Sequence, residues 1–122
     1  AAAPDFTDWG YSDAEKSEIV ALGRLERPNH YGGDPQLTTS GFWESGRQLR
    51  LLDEPIGIDC PVRLLHGDAD REVPVAVSTR LMAALRSADV QMIILKGGGH
   101  RLSEPNEIAA ILRTVIGLLE TP

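Results

Sequence analysis

The stretch that decides the fold runs from Pro61 to Pro74 and reads PVRLLHGDADREVP. Its first half is a short, mostly apolar run between a proline and Gly67, with the length and composition of a buried β-strand. Its second half places a cluster of carboxylates directly after the glycine. Because ligands bind at the carboxyl ends of parallel strands, the stretch predicts a strand that ends in a functional loop.

The chain after this stretch repeats the pattern of strand and helix. A second apolar run extends from Val90 to Leu95, and the letters GGGHRL follow it at 97–102. Apolar residues at helical spacing predict one helix at about 75–87 and another at about 105–120. This order predicts an α/β fold in which a right-handed crossover joins two parallel strands and the last helix packs on one face.

His100 follows the second predicted strand and is preceded by three glycines, which allow a sharp turn. If the two strands are neighbours, a carboxylate of the first loop can hydrogen-bond this imidazole, set its tautomer and stabilise the imidazolium. Such a pair is two-thirds of a nucleophilic catalytic site. A strand-end histidine taken alone is more often a hydrogen-bonded structural residue. The prediction of a catalytic site therefore depends on a carboxylate of the first loop pairing with His100.

The two motifs together resemble the last two strand-end loops of the α/β-hydrolase superfamily. In that superfamily the acid commonly follows the glycine by three residues and precedes a Val-Pro pair by three. The resemblance therefore implies Asp70 as the catalytic acid and His100 as the catalytic base, in the family order of nucleophile, acid and histidine. More narrowly, the chain resembles the bacterial carboxylic-ester hydrolases that are related to the mitochondrial palmitoyl-protein thioesterase type, which implies a small-molecule ester or thioester substrate.

The front of the chain predicts helices around a loop. The S-x-x-E spacing that starts at Ser12 predicts a helix at about 13–22, which Gly23 can close. The stretch from Arg27 to Thr39 is rich in glycine and proline and predicts an irregular loop, and about 40–51 predicts a second helix. Residues 1–55 resemble the lid inserted before the acid-bearing strand in the superfamily, and 56–122 resemble the C-terminal part of its core. Residues 3–7 resemble the exit from the strand that precedes this lid.

No G-x-S-x-G nucleophile motif occurs, and the serines at Ser40 and Ser45 lack the strand-turn-helix context that the motif requires. We therefore expect a C-terminal fragment of a serine hydrolase, inactive by itself and with an incomplete sheet. Two strands alone leave unpaired edges. A rival hypothesis is accordingly a non-catalytic hydrolase-like module that binds a partner, or forms a homodimer, through an exposed strand edge.

Two alternatives concern the polar residues of the loops. Asp68 could replace Asp70 as the acid, although its offset from the glycine favours a role in bracing the loop. Alternate residues of an extended segment share a face, so a metal site and a metal-dependent hydrolase form a third hypothesis. Its ligands would be His66, Asp68, Asp70, Glu72 and His100. We predict no metal and no cofactor, because the pattern is weaker than those that metal sites usually leave.

Other residues have ordinary interpretations beside functional ones. We expect His30 to be a solvated loop residue and Cys60 to be a small apolar residue at the start of a buried strand rather than a nucleophile. The aromatic residues Trp9, Phe42 and Trp43 could line an acyl-binding pocket or fill a core, and the sequence leaves both open.

Composition excludes several classes of partner. Eighteen acidic against twelve basic residues give a formal charge of −6 without a basic cluster, so nucleic acid is a poor partner. No apolar run approaches the roughly 20 residues that cross a bilayer. A single cysteine cannot form an internal disulfide, and we therefore expect a cytoplasmic protein.

Overall fold

The structure is a computed structural model that describes residues 1–120. Two compact units make up the chain. One unit is Asp5–Arg50, and the other combines Ala1–Pro4 with the residues from Leu51 onward.

The unit Asp5–Arg50 consists of short helices and a hairpin. Its elements are α1 (Phe6–Trp9), α2 (Asp13–Leu22), β1 (Arg24–Arg27), β2 (Gln36–Thr39) and α3 (Ser40–Gln48). Helix α2 has the predicted bounds because its ends are specified locally. The Ser12 hydroxyl accepts the Glu15 N–H at 3.1 Å, and the Glu15 carboxylate accepts the Ser12 N–H at 2.9 Å. Gly23 closes the helix at a φ of 75°.

The irregular loop predicted from Arg27 to Thr39 is wrong at both of its ends. Arg27 is the last residue of β1, Gln36–Thr39 form β2, and the two strands pair as an antiparallel hairpin. Within this hairpin Leu25 lies opposite Thr38. Leu25 is buried in the core of the unit, and the Thr38 hydroxyl lies 3.0 Å from that of Tyr11. These contacts come from distant residues, so local propensity could not predict strands of four residues.

The aromatic residues of this unit have different environments. Trp43 is buried with Ile19 and Leu25, so it fills the core. Phe42 is 58% exposed, with its ring 5.6 Å from that of Phe6. Trp9 is half-buried, and His30 is exposed as predicted.

The second unit alternates strand and helix, as predicted. Its elements are β3 (Val62–Gly67), α4 (Val75–Ala84), β4 (Val90–Leu95) and α5 (Pro105–Leu119). The two strands are parallel, with Val62 opposite Val90 and Gly67 opposite Leu95. Helix α4 contacts both strands and buries Val77. The α/β class and the incomplete parallel sheet are confirmed.

The predicted packing of the last helix is wrong for most of its apolar side chains. Several of the apolar residues that mark this helix are about half or more exposed, among them Ile108, Leu112, Val115 and Leu119. A sheet of two strands offers too little surface to cover a helix of 15 residues. The apolar periodicity identified the helix correctly but not what covers it.

The expectation that Cys60 starts a buried strand is also wrong. The strand begins at Val62, and the thiol lies exposed before it. Pro61 intervenes between the cysteine and the strand, so Cys60 is not part of the buried run. Among residues 1–120, no helix is both long and apolar enough to cross a bilayer.

Candidate active site

Hydrogen bonds join the loops that follow β3 and β4. The register places Gly67 opposite Leu95, so both strands end at the same edge of the sheet. Beyond the strands, the Asp68 N–H donates to the Leu95 carbonyl at 3.1 Å and the Ala69 N–H donates to the Gly98 carbonyl at 2.9 Å. The first loop is therefore held against the second before any side chain contributes.

Glycine is required where these loops touch. A Cβ atom at Gly67 would stand 2.1 Å from the Gly98 carbonyl oxygen, well inside van der Waals contact. Gly97 has a φ of +74°, a left-handed conformation that glycine adopts without strain. This turn carries the chain on to His100.

The carboxylate of Asp70 and the imidazole of His100 are in contact. His100 Nδ1 lies 3.1 Å from Asp70 Oδ2. The Asp70 side chain is 1% exposed and that of His100 is 33% exposed. The carboxylate is therefore sealed from water, while part of the imidazole remains accessible.

Three hydrogen bonds hold Asp70 in its ionised form. Burial by itself raises the pKa of Asp70, but the N–H groups of Val73 and Glu72 and the imidazole of His100 outweigh it, so the net pKa is lowered. The two N–H groups donate to Oδ1, at 3.0 Å and 2.9 Å respectively. An ionised Asp70 only accepts, so the neutral ring of His100 carries its proton on Nδ1, and its unprotonated Nε2 has the lone pair that a general base needs.

Glu72 is a neighbour of this pair that the sequence did not reveal. Its Oε2 lies 3.1 Å from His100 Nε2, with the two side chains 37% and 33% exposed. From its sequence position, Glu72 is a candidate only as one ligand of a metal site. Nothing in its spacing distinguishes it from the other acidic residues of the loop, because which ring nitrogen it meets depends on the folded loop.

The position of Asp68 distinguishes it from Asp70. Its Oδ1 accepts the Gly97 N–H at 2.6 Å, across 29 residues of chain. Asp68 thus braces the turn before His100, which is the role that its distance from Gly67 favoured over that of catalytic acid. Asp70, and not Asp68, has the hydrogen bond to the imidazole.

His66 is fully buried at the end of β3, and both of its ring nitrogens are engaged. Nε2 lies 2.7 Å from the Val73 carbonyl oxygen and Nδ1 lies 2.6 Å from the Ser78 hydroxyl. The ring nitrogens proposed as metal ligands therefore already have protein partners. Within residues 1–120, no three His, Cys, Asp or Glu side chains form a group that could hold a metal ion.

The fold and the order of its strand-end residues are those of the α/β-hydrolase superfamily, and solved structures agree. A putative hydrolase from Agrobacterium vitis aligns with a TM-score of 0.85 at 31% identity, over 96% of this chain and 46% of that one. The α/β-hydrolase domain-containing protein 10 from mouse aligns at 0.86 and 30% identity, over 98% of this chain and 49% of that one.

Within this superfamily, the chain belongs to the prolyl oligopeptidase family, whose sequence model matches residues 1–121. It is also similar to the mitochondrial palmitoyl-protein thioesterase ABHD10, with 39% identity to the Bos taurus protein over 107 residues and 32% to the Mus musculus protein over 106. These matches cover 86% of this chain but only 35% and 36% of the relatives, so the chain spans about a third of their length.

Proposed function

We propose that this chain supplies the acid, Asp70, and the general base, His100, of a serine-type hydrolase that cleaves carboxylic esters or thioesters. The single observation that carries the proposal is the 3.1 Å contact between His100 Nδ1 and the buried Asp70 carboxylate. Residues 56–122 would be the C-terminal part of the catalytic core and 1–55 a lid-like segment. The nucleophile would come from residues outside this sequence, which contains no G-x-S-x-G motif.

In the proposed reaction, His100 Nε2 takes the proton of a serine hydroxyl as its oxygen attacks the substrate carbonyl. Asp70 keeps the opposite nitrogen protonated and stabilises the imidazolium. The imidazolium then gives its proton to the departing alcohol or thiol, which leaves an acyl-serine. Water, deprotonated by the same imidazole, releases the acid and restores the serine.

The choice of ester or thioester rests on the relatives. Proteins with 30–39% identity to this chain are named palmitoyl-protein thioesterases. They are also named as mitochondrial, so a cytoplasmic location stays a prediction for this chain. Since the family takes its name from a peptidase, a substrate panel should contain a prolyl peptide amide beside acyl esters and acyl thioesters.

The experiment compares His100→Ala with His30→Ala in a protein that joins this chain to its nucleophile-bearing segment. General base catalysis contributes about 10²–10⁴ in rate, so His100→Ala should lower kcat at least that much and abolish labelling by a fluorophosphonate. His30 is exposed, and its variant should retain both. The 122-residue chain alone should show no turnover. Unchanged turnover in His100→Ala would overturn the proposal.

A non-catalytic module is the second candidate, and the exposed apolar residues favour it. Ile94 on β4 and Leu112 on α5 are 49% and 56% exposed, so each offers apolar surface that a partner could cover. Such a module would form a homodimer or bind a partner through an exposed edge of the two-stranded sheet. Sedimentation of the 122-residue chain across micromolar concentrations tests the dimer, which a strictly monomeric chain would exclude.

A further inference from the structure

His66 is a buried titratable residue that the proposed mechanism does not use. Its side chain is 0% exposed, although a polar ring in such a position is costly unless its nitrogens are paired. It lies at the end of β3, four residues before Asp70. Its partners come from the loop after Asp70 and from helix α4, which makes it a bridge between three parts of the unit.

The protons of this bridge can be assigned from its partners. A carbonyl oxygen only accepts, so Nε2 of His66 carries the proton that it donates to Val73. In the neutral ring, Nδ1 then accepts the hydroxyl proton of Ser78, which is itself 2% exposed. The Val73 carbonyl thus fixes the tautomer of His66, and the Ser78 hydroxyl, which can donate or accept, adapts to it.

Val73 connects this bridge to the acid. Its carbonyl accepts from His66 at 2.7 Å, while its N–H donates to Asp70 Oδ1 at 3.0 Å. The other oxygen of Asp70 receives His100 Nδ1. Hydrogen bonds therefore connect Ser78 to His100 by way of the His66 ring, the backbone of Val73 and the carboxylate of Asp70.

The same geometry keeps the two imidazoles from competing for one oxygen. His66 Nε2 lies 3.5 Å from Asp70 Oδ2, close enough to attract its N–H. The Val73 carbonyl is nearer, at 2.7 Å, and takes that proton instead. Asp70 Oδ2 is left to accept from His100.

We propose that His66 is a positioning residue for Asp70: its Nε2–H holds the Val73 carbonyl and so sets the loop that presents the carboxylate to His100. This role rests on the proposed function, because it matters for catalysis only if Asp70 is the acid. His66 touches neither substrate nor reacting atoms, and it acts through the loop.

Three variants distinguish a role of His66 in positioning Asp70 from a contribution of its hydrogen bonds to the stability of the fold. His66→Phe keeps a planar ring but has no donor. His66→Gln keeps an N–H at about the reach of Nε2, since its amide nitrogen is as far from the backbone. Ser78→Ala removes a buried hydrogen bond of the same imidazole without touching Val73, and it serves as the matched control.

The first measurement is the titration of the Asp70 carboxyl by carbon-13 NMR in the 122-residue chain. In His66→Phe the pKa of Asp70 should shift upward, because the hydrogen bonds from Val73 and Glu72 loosen while burial persists. His66→Gln and Ser78→Ala should keep the lowered pKa of the wild type. The amide signals of β4, such as that of Ile93, report whether each variant is folded.

The second measurement is kinetic, in the protein that also contains the nucleophile. Misplacement of a catalytic group by about 1 Å can cost about 10²-fold, so His66→Phe should lower kcat by about 10–10²-fold at constant KM. His66→Gln should restore most of that loss. Ser78→Ala should lower the unfolding temperature without the same loss of kcat.

The outcomes keep the two proposals apart. No shift of the Asp70 titration in His66→Phe would overturn the positioning role, as would an equal shift in His66→Gln or in Ser78→Ala. If His100→Ala abolishes turnover but His66→Phe does not reduce it, the positioning role fails and the proposed function stands. If turnover survives His100→Ala, the proposed function fails, and the titration alone decides whether His66 positions Asp70.

Discussion

The backbone of Gly67 lies against the backbone of Gly98, so that a Cβ atom on Gly67 would be 2.4 Å from the Gly98 carbonyl carbon and 2.1 Å from its oxygen. This approach brings the loop of Asp70 to the loop of His100. It also makes the site sensitive to a single methyl group.

We expect Gly67→Ala to destabilise the unit by about 1–3 kcal/mol, because backbone atoms cannot yield as a flexible side chain would. Gly99→Ala in the same loop is the control, since a Cβ there meets nothing within 4 Å. Urea unfolding followed by circular dichroism measures both variants. Equal midpoints for the two would contradict the close approach.

Asp70→Asn should lower kcat of the nucleophile-containing protein by about 10⁴-fold. An amide can place an N–H group at His100 Nδ1, which forces the proton onto Nε2 and removes the base. Glu72→Gln tests the other carboxylate at the imidazole. Because both side chains are about one-third exposed, the contact of Glu72 with a protonated His100 contributes about 0.2–1 kcal/mol, and its loss should change kcat less than tenfold. Steady-state kinetics measures kcat for both variants. A larger loss of kcat in Glu72→Gln than in Asp70→Asn would make Glu72, and not Asp70, the catalytic acid.

The lowered pKa of Asp70 predicts a loss of stability in acid. Its folded pKa is below the unfolded value of about 3.9, so the stabilisation is complete above that value and disappears as the pH falls through the folded pKa. Asp70→Asn should therefore flatten the fall in unfolding free energy between neutral pH and about pH 3. Asp59 also has a lowered pKa, caused by its hydrogen bond to Arg86, but the two side chains are 66% and 60% exposed, so Asp59→Asn should leave the slope nearly unchanged. Urea midpoints at several pH values test the difference, and parallel curves for wild type and Asp70→Asn would refute it.

Helix α2 provides a test confined to the unit Asp5–Arg50. Ser12→Ala removes the hydroxyl that accepts the Glu15 N–H and should cost about 1 kcal/mol. Ser17→Ala makes the same change at an exposed position inside the helix, where alanine is the better helix former, so it should be neutral or stabilising. Both tryptophans lie in this unit, and their fluorescence follows its unfolding. Equal losses in the two variants would exclude a capping role for Ser12.

Elements with local signals were predicted well. Helix α2 is specified by the capping box of Ser12 and Glu15 at its start and by Gly23 at its end, which are signals that lie close together in the chain. Strands β3 and β4 follow from apolar runs that end at glycine or just before it. The hairpin of β1 and β2 was missed, since its four-residue strands depend on a core built by residues far away in the sequence.

The sequence by itself determined that Asp70 and His100 would each follow a short apolar strand, because strand composition, chain order and glycine positions are local properties. That the two strands are neighbours was a condition of the predicted pairing, and the register of the sheet meets it. Only the tertiary structure decided which atoms meet there. The proton of His66 goes to Val73, Asp68 binds the Gly97 N–H, and Glu72 lies at the outer nitrogen of His100. The physical reason is that hydrogen bonds depend on ångström-scale positions, which several loop residues fix jointly and which no spacing along the chain encodes.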